Sequence, residues 1–165
     1  MERFEIVPAG RVYANQMANR VRDCDKIEVY RSSGQDIRSA LLDSVAQSDD
    51  DMCWAALWNG LPVAMFGANN ITPEDDTSEY ADLSIGGIWL LATPGIYWNK
   101  RDFMRNCRKY LKVMHTRYDY LTNFIDAENI PTMQWLPRLG FRPARVIEEF
   151  GHMKVPFIQY VSKRS

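Results

Sequence analysis

Patterning along this chain reads as an α+β layered protein, a mostly antiparallel sheet with helices packed on it. Three observations carry that reading. Two apolar strands, Met52 to Trp58 and Leu61 to Phe66, meet at Asn59-Gly60. Asn-Gly accepts the positive φ that a tight hairpin needs. Gly86-Gly-Ile-Trp-Leu-Leu-Ala92 is a nearly continuous apolar run, as expected for a central strand covered on both faces. From Asn99 to about Thr116, Phe103, Cys107, Tyr110, Leu111 and Met114 recur at helical spacing.

The remaining elements follow in chain order. Phe4 to Val7 is a short strand, and Pro8-Ala9-Gly10 breaks it. Val12, Met17 and Val21 give Arg11 to Arg22 a loosely helical pattern. Ser33-Gly34-Gln35-Asp36 interrupts the chain again. A second helix from about Asp36 to Gln47 puts Ile37, Ala40, Leu41 and Val45 on one stripe. Asn69 to Asp82, with Pro73 and the acidic run Glu74-Asp75-Asp76, reads as a loop inside the domain, because apolar patterned sequence resumes directly after it. Tyr118 to Phe124 is a strand. Asn129 then caps a short helix with its side chain, Pro131 sits in the first turn where a missing N–H costs little, and Gly140 suits the left-handed position beyond the helix end. Phe141 to Ile147 and Met153 to Val161 form a closing hairpin. The order is β-α-α-β-β-β-α-β-α-β-β, in a single domain spanning residues 1–165.

Composition excludes several classes. The chain of 165 residues is 46% hydrophobic and 12% aromatic, which rules out global disorder. A formal net charge of -1 is not that of a polycation. Cys24, Cys53 and Cys107 show no CxxC spacing and read as buried, small apolar side chains in a reducing compartment. His115 and His152 stand apart from other ligands, so no metal site is expected. The amino terminus lacks the pattern of a secretory signal, and no window is apolar enough to span a membrane. These features predict a soluble protein made in a cytoplasm.

The element order, together with Asn129-Ile-Pro-Thr-Met-Gln-Trp-Leu-Pro-Arg-Leu-Gly140-Phe141, resembles the GNAT superfamily of N-acetyltransferases along nearly the whole chain. That resemblance implies a site for acetyl-CoA. In the family a Gly-rich loop after the central strand cradles the pyrophosphate with backbone N–H groups and a helix N-terminus. The matching segment here is Thr93-Pro94-Gly95-Ile96-Tyr97-Trp98-Asn99. It has one Gly, Pro94 removes a donor, and Tyr97 and Trp98 are bulky where backbone must approach phosphate; Lys100 and Arg101 remain able to attract it. Family members carry a Tyr seven residues after the Asn as general acid; here that position is Leu136, which has no proton to give. Tyr97 and Tyr110 are the substitutes in the neighbourhood, though Tyr110 falls on the apolar stripe. Asp82 and Glu79 are the nearest general-base candidates. If acetyl-CoA binds, the resemblance places its pantetheine along the backbone near Leu91 to Thr93, so Leu91, Thr93 and Asn129 are the candidate cofactor contacts. No catalytic residue is assigned, and no cofactor is expected unless this alternative holds.

An ordered set of shorter pieces narrows the resemblance. Arg22-Asp-Cys-Asp-Lys-Ile-Glu28, Ser33-Gly34, Asp36 to Ser44, Asn59 to Gly67, Ile88 to Thr93, and Asn129 with Leu139-Gly140-Phe141 are similar to a GNAT-like family of short-tailed phages and prophages, which includes small internal virion proteins of the internal core protein A type. The resemblance implies a virion-associated or morphogenesis role, other phage structural proteins as partners, and residence in the host cytoplasm and then the particle. The alternative is an acetyl-CoA-dependent N-acetyltransferase acting on a host or phage protein. Arg101, Arg105, Arg108 and Lys112 share one helix face opposite the apolar stripe, with Lys109 nearby. A solvated amphipathic helix accounts for this, and non-specific contact with DNA phosphates is the functional alternative. Of five Trp, Trp54 and Trp58 share a strand face, while Trp98 in its loop is the expected interface anchor.

Overall fold

The computed structural model describes residues 3–73 and 82–165. Its elements are β1 (Phe4–Pro8), α1 (Arg11–Met17), α2 (Asp23–Ser33), α3 (Ile37–Gln47), β2 (Cys53–Trp58), β3 (Leu61–Asn70), β4 (Ile85–Ala92), α4 (Lys100–His115), β5 (Tyr120–Asp126), α5 (Ile130–Trp135), β6 (Arg142–Phe150) and β7 (Val155–Lys163). The seven strands lie in the order β1-β2-β3-β4-β5-β7-β6. All neighbours are antiparallel except β4 and β5.

Strand alternation sorts the core to two faces. Ala55, Leu57, Met65 and Leu91 face α1 and α3, against Ala14, Met17 and Leu41. Trp54 and Phe66 face α4, against Met114 and half-buried Tyr110; the ring centroids of Trp54 and Tyr110 lie 5.0 Å apart. Trp58 packs beside Ala56 on that same side, as the alternation predicts. The hairpin at Asn59-Gly60 takes positive φ at both residues, 50° and 80°. Asn129 caps α5 by accepting the Thr132 N–H, and Gly140 ends the following 3₁₀ turn at φ 87°.

The structure departs from the sequence reading in one element that matters. Three helices, not two, precede β2. The first helix stops at Met17, and Asp23–Ser33 forms α2. Helical periodicity misses α2 because its inward face is polar: Asp25 is its buried residue, while Ile27 and Tyr30 are exposed. The signals it does carry are Asp23 and Asp25 in the first turn and left-handed Gly34 beyond its end. Strand bounds also move. β5 starts at Tyr120, and Tyr118 instead fills the turn before it, buried under Gly86, where an added Cβ would lie 2.7 Å from the Tyr118 ring. β3 runs on to Asn70, and the closing hairpin is shifted toward the carboxyl end. Most of the Asn69 to Asp82 loop, Glu79 included, lies outside the described residues. Cys107 is buried as expected, but Cys24 and Cys53 are only half-buried, since each sits where an element meets the surface.

The β6–β7 turn is tied to α2. His152 and Met153 donate their N–H groups to the Ser32 and Arg31 carbonyls, each at 3.0 Å, which satisfies acceptors that the helix end leaves open. Gly151 makes this approach possible: its φ is 69°, and a Cβ would collide with the Ser32 backbone. Gly151→Ala is expected to lift the turn from α2 and lower stability by about 2 kcal/mol, combining left-handed strain with the lost contact. Urea unfolding measures it, and a loss within error would refute this account of the turn.

Candidate functional site

The site is built by the single parallel pair. β4 and β5 are joined only where Ile85, Gly86 and Gly87 face Tyr120, Leu121 and Thr122. Beyond that point β4 stays with β3 as far as Ala92, and β5 stays with β7 as far as Asp126. The two strands therefore diverge, and the sheet opens into a wedge. Within it lies a cavity of about 230 Å³, walled by Ile88 and Leu90 of β4, Ile125 of β5, Leu111 of α4 and Leu136. Tyr118 packs the narrow end.

The wide end is crossed by the chain itself. Arg22, just before α2, is 4% exposed and meets Asp25, 2% exposed, through two hydrogen bonds: Nε to Oδ2 at 3.0 Å and Nη2 to Oδ1 at 2.9 Å. Arg22 Nη1 donates to the Tyr97 hydroxyl at 3.1 Å, and Nη2 to Thr132 Oγ1 at 3.4 Å. Its guanidinium carbon also lies 5.0 Å from the centroid of the Trp135 ring. The backbone at the end of β4 is bound into the same cluster. Ala92 N–H donates to Asp25 Oδ2 at 3.0 Å, and the Ala92 carbonyl accepts Arg22 N–H at 2.8 Å. Thr93 N–H goes to the Val63 carbonyl, and the Thr93 hydroxyl caps the 3₁₀ turn Pro94–Asn99 by accepting Gly95 N–H at 3.1 Å. Arg22 thus links the β4 side of the wedge to α5, which follows β5.

Farther along α2, the other strand is held. Glu28 accepts the Asp126 N–H at 3.2 Å and the Asn129 side-chain amide. Arg31 pairs with Asp126 at 2.6 Å and Glu128 at 3.0 Å. So α2 lies across the opening, with Arg22 and Asp25 on β4 and Glu28 and Arg31 on β5. Burial works against these charges. It pushes the Asp25 carboxyl up against the pull of Arg22; on Arg22 desolvation is the largest single influence, yet Asp25, Tyr97 and Cys24 together outweigh it and leave the guanidinium raised. The bidentate geometry, and a guanidinium that keeps its proton, hold the pair ionic. Among the described residues no cation lies at hydrogen-bonding distance of Glu28, and burial lifts its pKa to about 8, against the hydrogen bond from Asn129.

The residues anticipated from sequence fall into place as follows. Leu91 is buried under α1 and α3. Thr93 caps a turn. Asn129 is 2% exposed and uses its oxygen on Thr132 and its amide on Glu28. Leu136 is buried in the wedge wall. Tyr110 is core, and the Tyr97 oxygen accepts from Arg22. Asp82 is exposed ahead of β4, at the opposite end of that strand from Ala92. His115 bonds Ser162 and the Tyr118 carbonyl, and His152 packs on Tyr30. No group of acidic, Cys and His side chains able to hold a metal occurs among the described residues. No helix among them is long and apolar enough to cross a membrane. Sequence reasoning missed Arg22, Asp25, Glu28 and Arg31 as a group. Their 3-residue spacing along one helix face was the available signal.

The architecture has solved counterparts. An aminoglycoside N(6')-acetyltransferase from Legionella pneumophila superposes with a TM-score of 0.67 over 98% of this chain and 92% of its own, at 14% identity. A GNAT-family acetyltransferase from Streptococcus pneumoniae gives 0.62 over 99% and 100%, at 10% identity. The fold is the GNAT fold. An aminoglycoside acetyltransferase solved with coenzyme A gives 0.66 over 98% and 95%, at 12% identity. No protein-family model and no curated protein sequence matches the chain. At these identities the likeness fixes the GNAT scaffold alone and leaves chemistry to the residues present.

Proposed function

We propose that this protein is a non-catalytic member of the GNAT-fold proteins, serving as a component of a phage particle or of its assembly. One observation carries the non-catalytic part. The backbone N–H and carbonyl of Ala92, at the strand end along which a pantetheine would pair, are bonded to Asp25 and Arg22. These bonds at Ala92 count against acetyl-CoA laid along the end of β4. Leu136 in place of a proton donor and bulky Trp98 in place of a phosphate-cradling glycine support the same reading. The particle role rests on the ordered resemblance to phage proteins, and with it go residence in host cytoplasm and virion and contact with other phage structural proteins.

Calorimetry with acetyl-CoA tests the first part: flat heats up to about 1 mM ligand are expected, and a saturable micromolar isotherm would overturn it. Mass spectrometry of purified particles tests the second, which fails if the protein is absent from them. The cavity in the wedge favours one other reading, an acetyl-CoA-dependent N-acetyltransferase acting on a host or phage protein. Turnover that depends on the thioester donor would establish it.

A further inference from the structure

The outward face of α4 has no role in the wedge. Helix α4 carries six Lys and Arg against one acid, Asp102, in a chain whose net charge is -1. Arg101, Arg105, Arg108, Lys109 and Lys112 are all exposed. Asp102 pairs with Arg105 at 3.5 Å; no carboxylate lies within ion-pair distance of Arg101, Arg108, Lys109 or Lys112 among the described residues. From Arg101 to Lys112 the charges run about 16 Å along the helix axis.

The face does not end at the helix. The 3₁₀ turn Pro94–Asn99 leads straight into α4, and Trp98 within it is 69% exposed. Arg101, Arg105, Arg108 and Lys112 are spaced by three or four residues and share one face of α4, and Trp98 stands just ahead of the helix, across the non-helical Asn99. Its mount is rigid. Gly95 and Ile96 are buried, the Thr93 hydroxyl caps the turn, and the hydroxyl of adjacent Tyr97 is held by Arg22. A large aromatic left in water beside a row of mostly unpaired cations matches the combination that binds unpaired nucleotides: phosphates on the cations, a base on the ring.

We propose that Trp98 and the basic face of α4 form a binding strip for single-stranded polynucleotide. A duplex offers phosphates, but its bases are already stacked and leave the indole unused. An acidic peptide offers carboxylates but no ring face. The strip reads no base edges, so it takes strands without sequence preference. It depends on neither the wedge nor the absence of catalysis.

Fluorescence anisotropy with a labelled oligothymidylate of about 15 nucleotides, beside a duplex of equal length, tests this. Four neutralised phosphates give a slope near -3, so affinity for the single strand should fall about fiftyfold between roughly 50 and 200 mM salt. Trp98→Ala should weaken single-strand binding about tenfold and leave duplex binding unchanged, while Trp98→Phe keeps most of it. Arg101→Gln, Arg108→Gln and Lys112→Gln combined should flatten the salt slope by about 2 units. These side chains are exposed, and Arg108 gives up only one exposed bond, to the Arg138 carbonyl, so thermal melting should move little, which separates lost binding from lost folding. Salt-independent binding, or indifference to the triple change, overturns the proposal. So does duplex binding of equal strength with Trp98 dispensable. Competition by polyglutamate as effective as by oligothymidylate would reassign the strip to an acidic protein.

Discussion

Arg22→Met should lower folding stability by about 3–5 kcal/mol, the range for removing one partner of a buried ion pair. The size follows from what stays behind. Asp25, 2% exposed, would lose its cation, so folding would have to bury either a bare carboxylate or a proton taken up by a carboxyl that still accepts the Ala92 N–H. The Tyr97 hydroxyl and Thr132 would lose their donor, and Trp135 its stacked guanidinium. Met fills similar volume, so the loss reports charge and hydrogen bonding rather than a void. Adding Asp25→Leu should recover much of it, since an apolar pair of matched volume is often tolerated where a lone charge is not. Urea unfolding of the two variants and the wild type closes the comparison. A loss below about 1 kcal/mol for the single change would show that the wide end of the wedge is solvated.

Stability is also expected to fall as pH rises from about 4.5 to about 8, because of Glu28. The folded pKa stands above the ordinary carboxylate value, so folding favours the protonated form. The contribution is complete below the unfolded pKa and disappears as pH climbs through the folded one. The total is about 4 kcal/mol across that window. Asp25 is pushed in the same direction by burial and adds to the trend. Glu28→Gln should remove most of the slope. It should begin less stable at low pH, because its amide cannot accept from both the Asp126 N–H and the Asn129 amide. Unfolding curves collected at pH 5, 6, 7 and 8 decide the matter, with a flat wild-type profile ruling the mechanism out.

The contrast between these residues and the easily read ones explains what the sequence disclosed. Asn59-Gly60, the Asn129 cap and Gly140 are local devices, each encoded within a few residues, and all three stand where pattern placed them. Apolar alternation through Trp54, Ala56 and Trp58 assigned a face for the same reason. The place of Leu136 was legible because a short capped helix fixes its position in both sequence and space. The wedge closure was not. Arg22 and Thr132 are 110 positions apart, and Glu28 and Asn129 are 101 apart. No local pattern announces such polar partnerships. They also supply the inner face of α2, and that face erased the apolar stripe by which the helix would have been found.

The divergence of β4 and β5 makes the sheet two leaves sharing a short hinge at Ile85–Gly87. Left to that hinge, one leaf would hold β1 to β4 and the other β5 to β7, each free to breathe on its own. The polar clamps along α2 reach both leaves and couple their openings. Backbone amides on either side of the split should then exchange with solvent through one shared event, as expected of a single cooperative foldon and not of two half-domains.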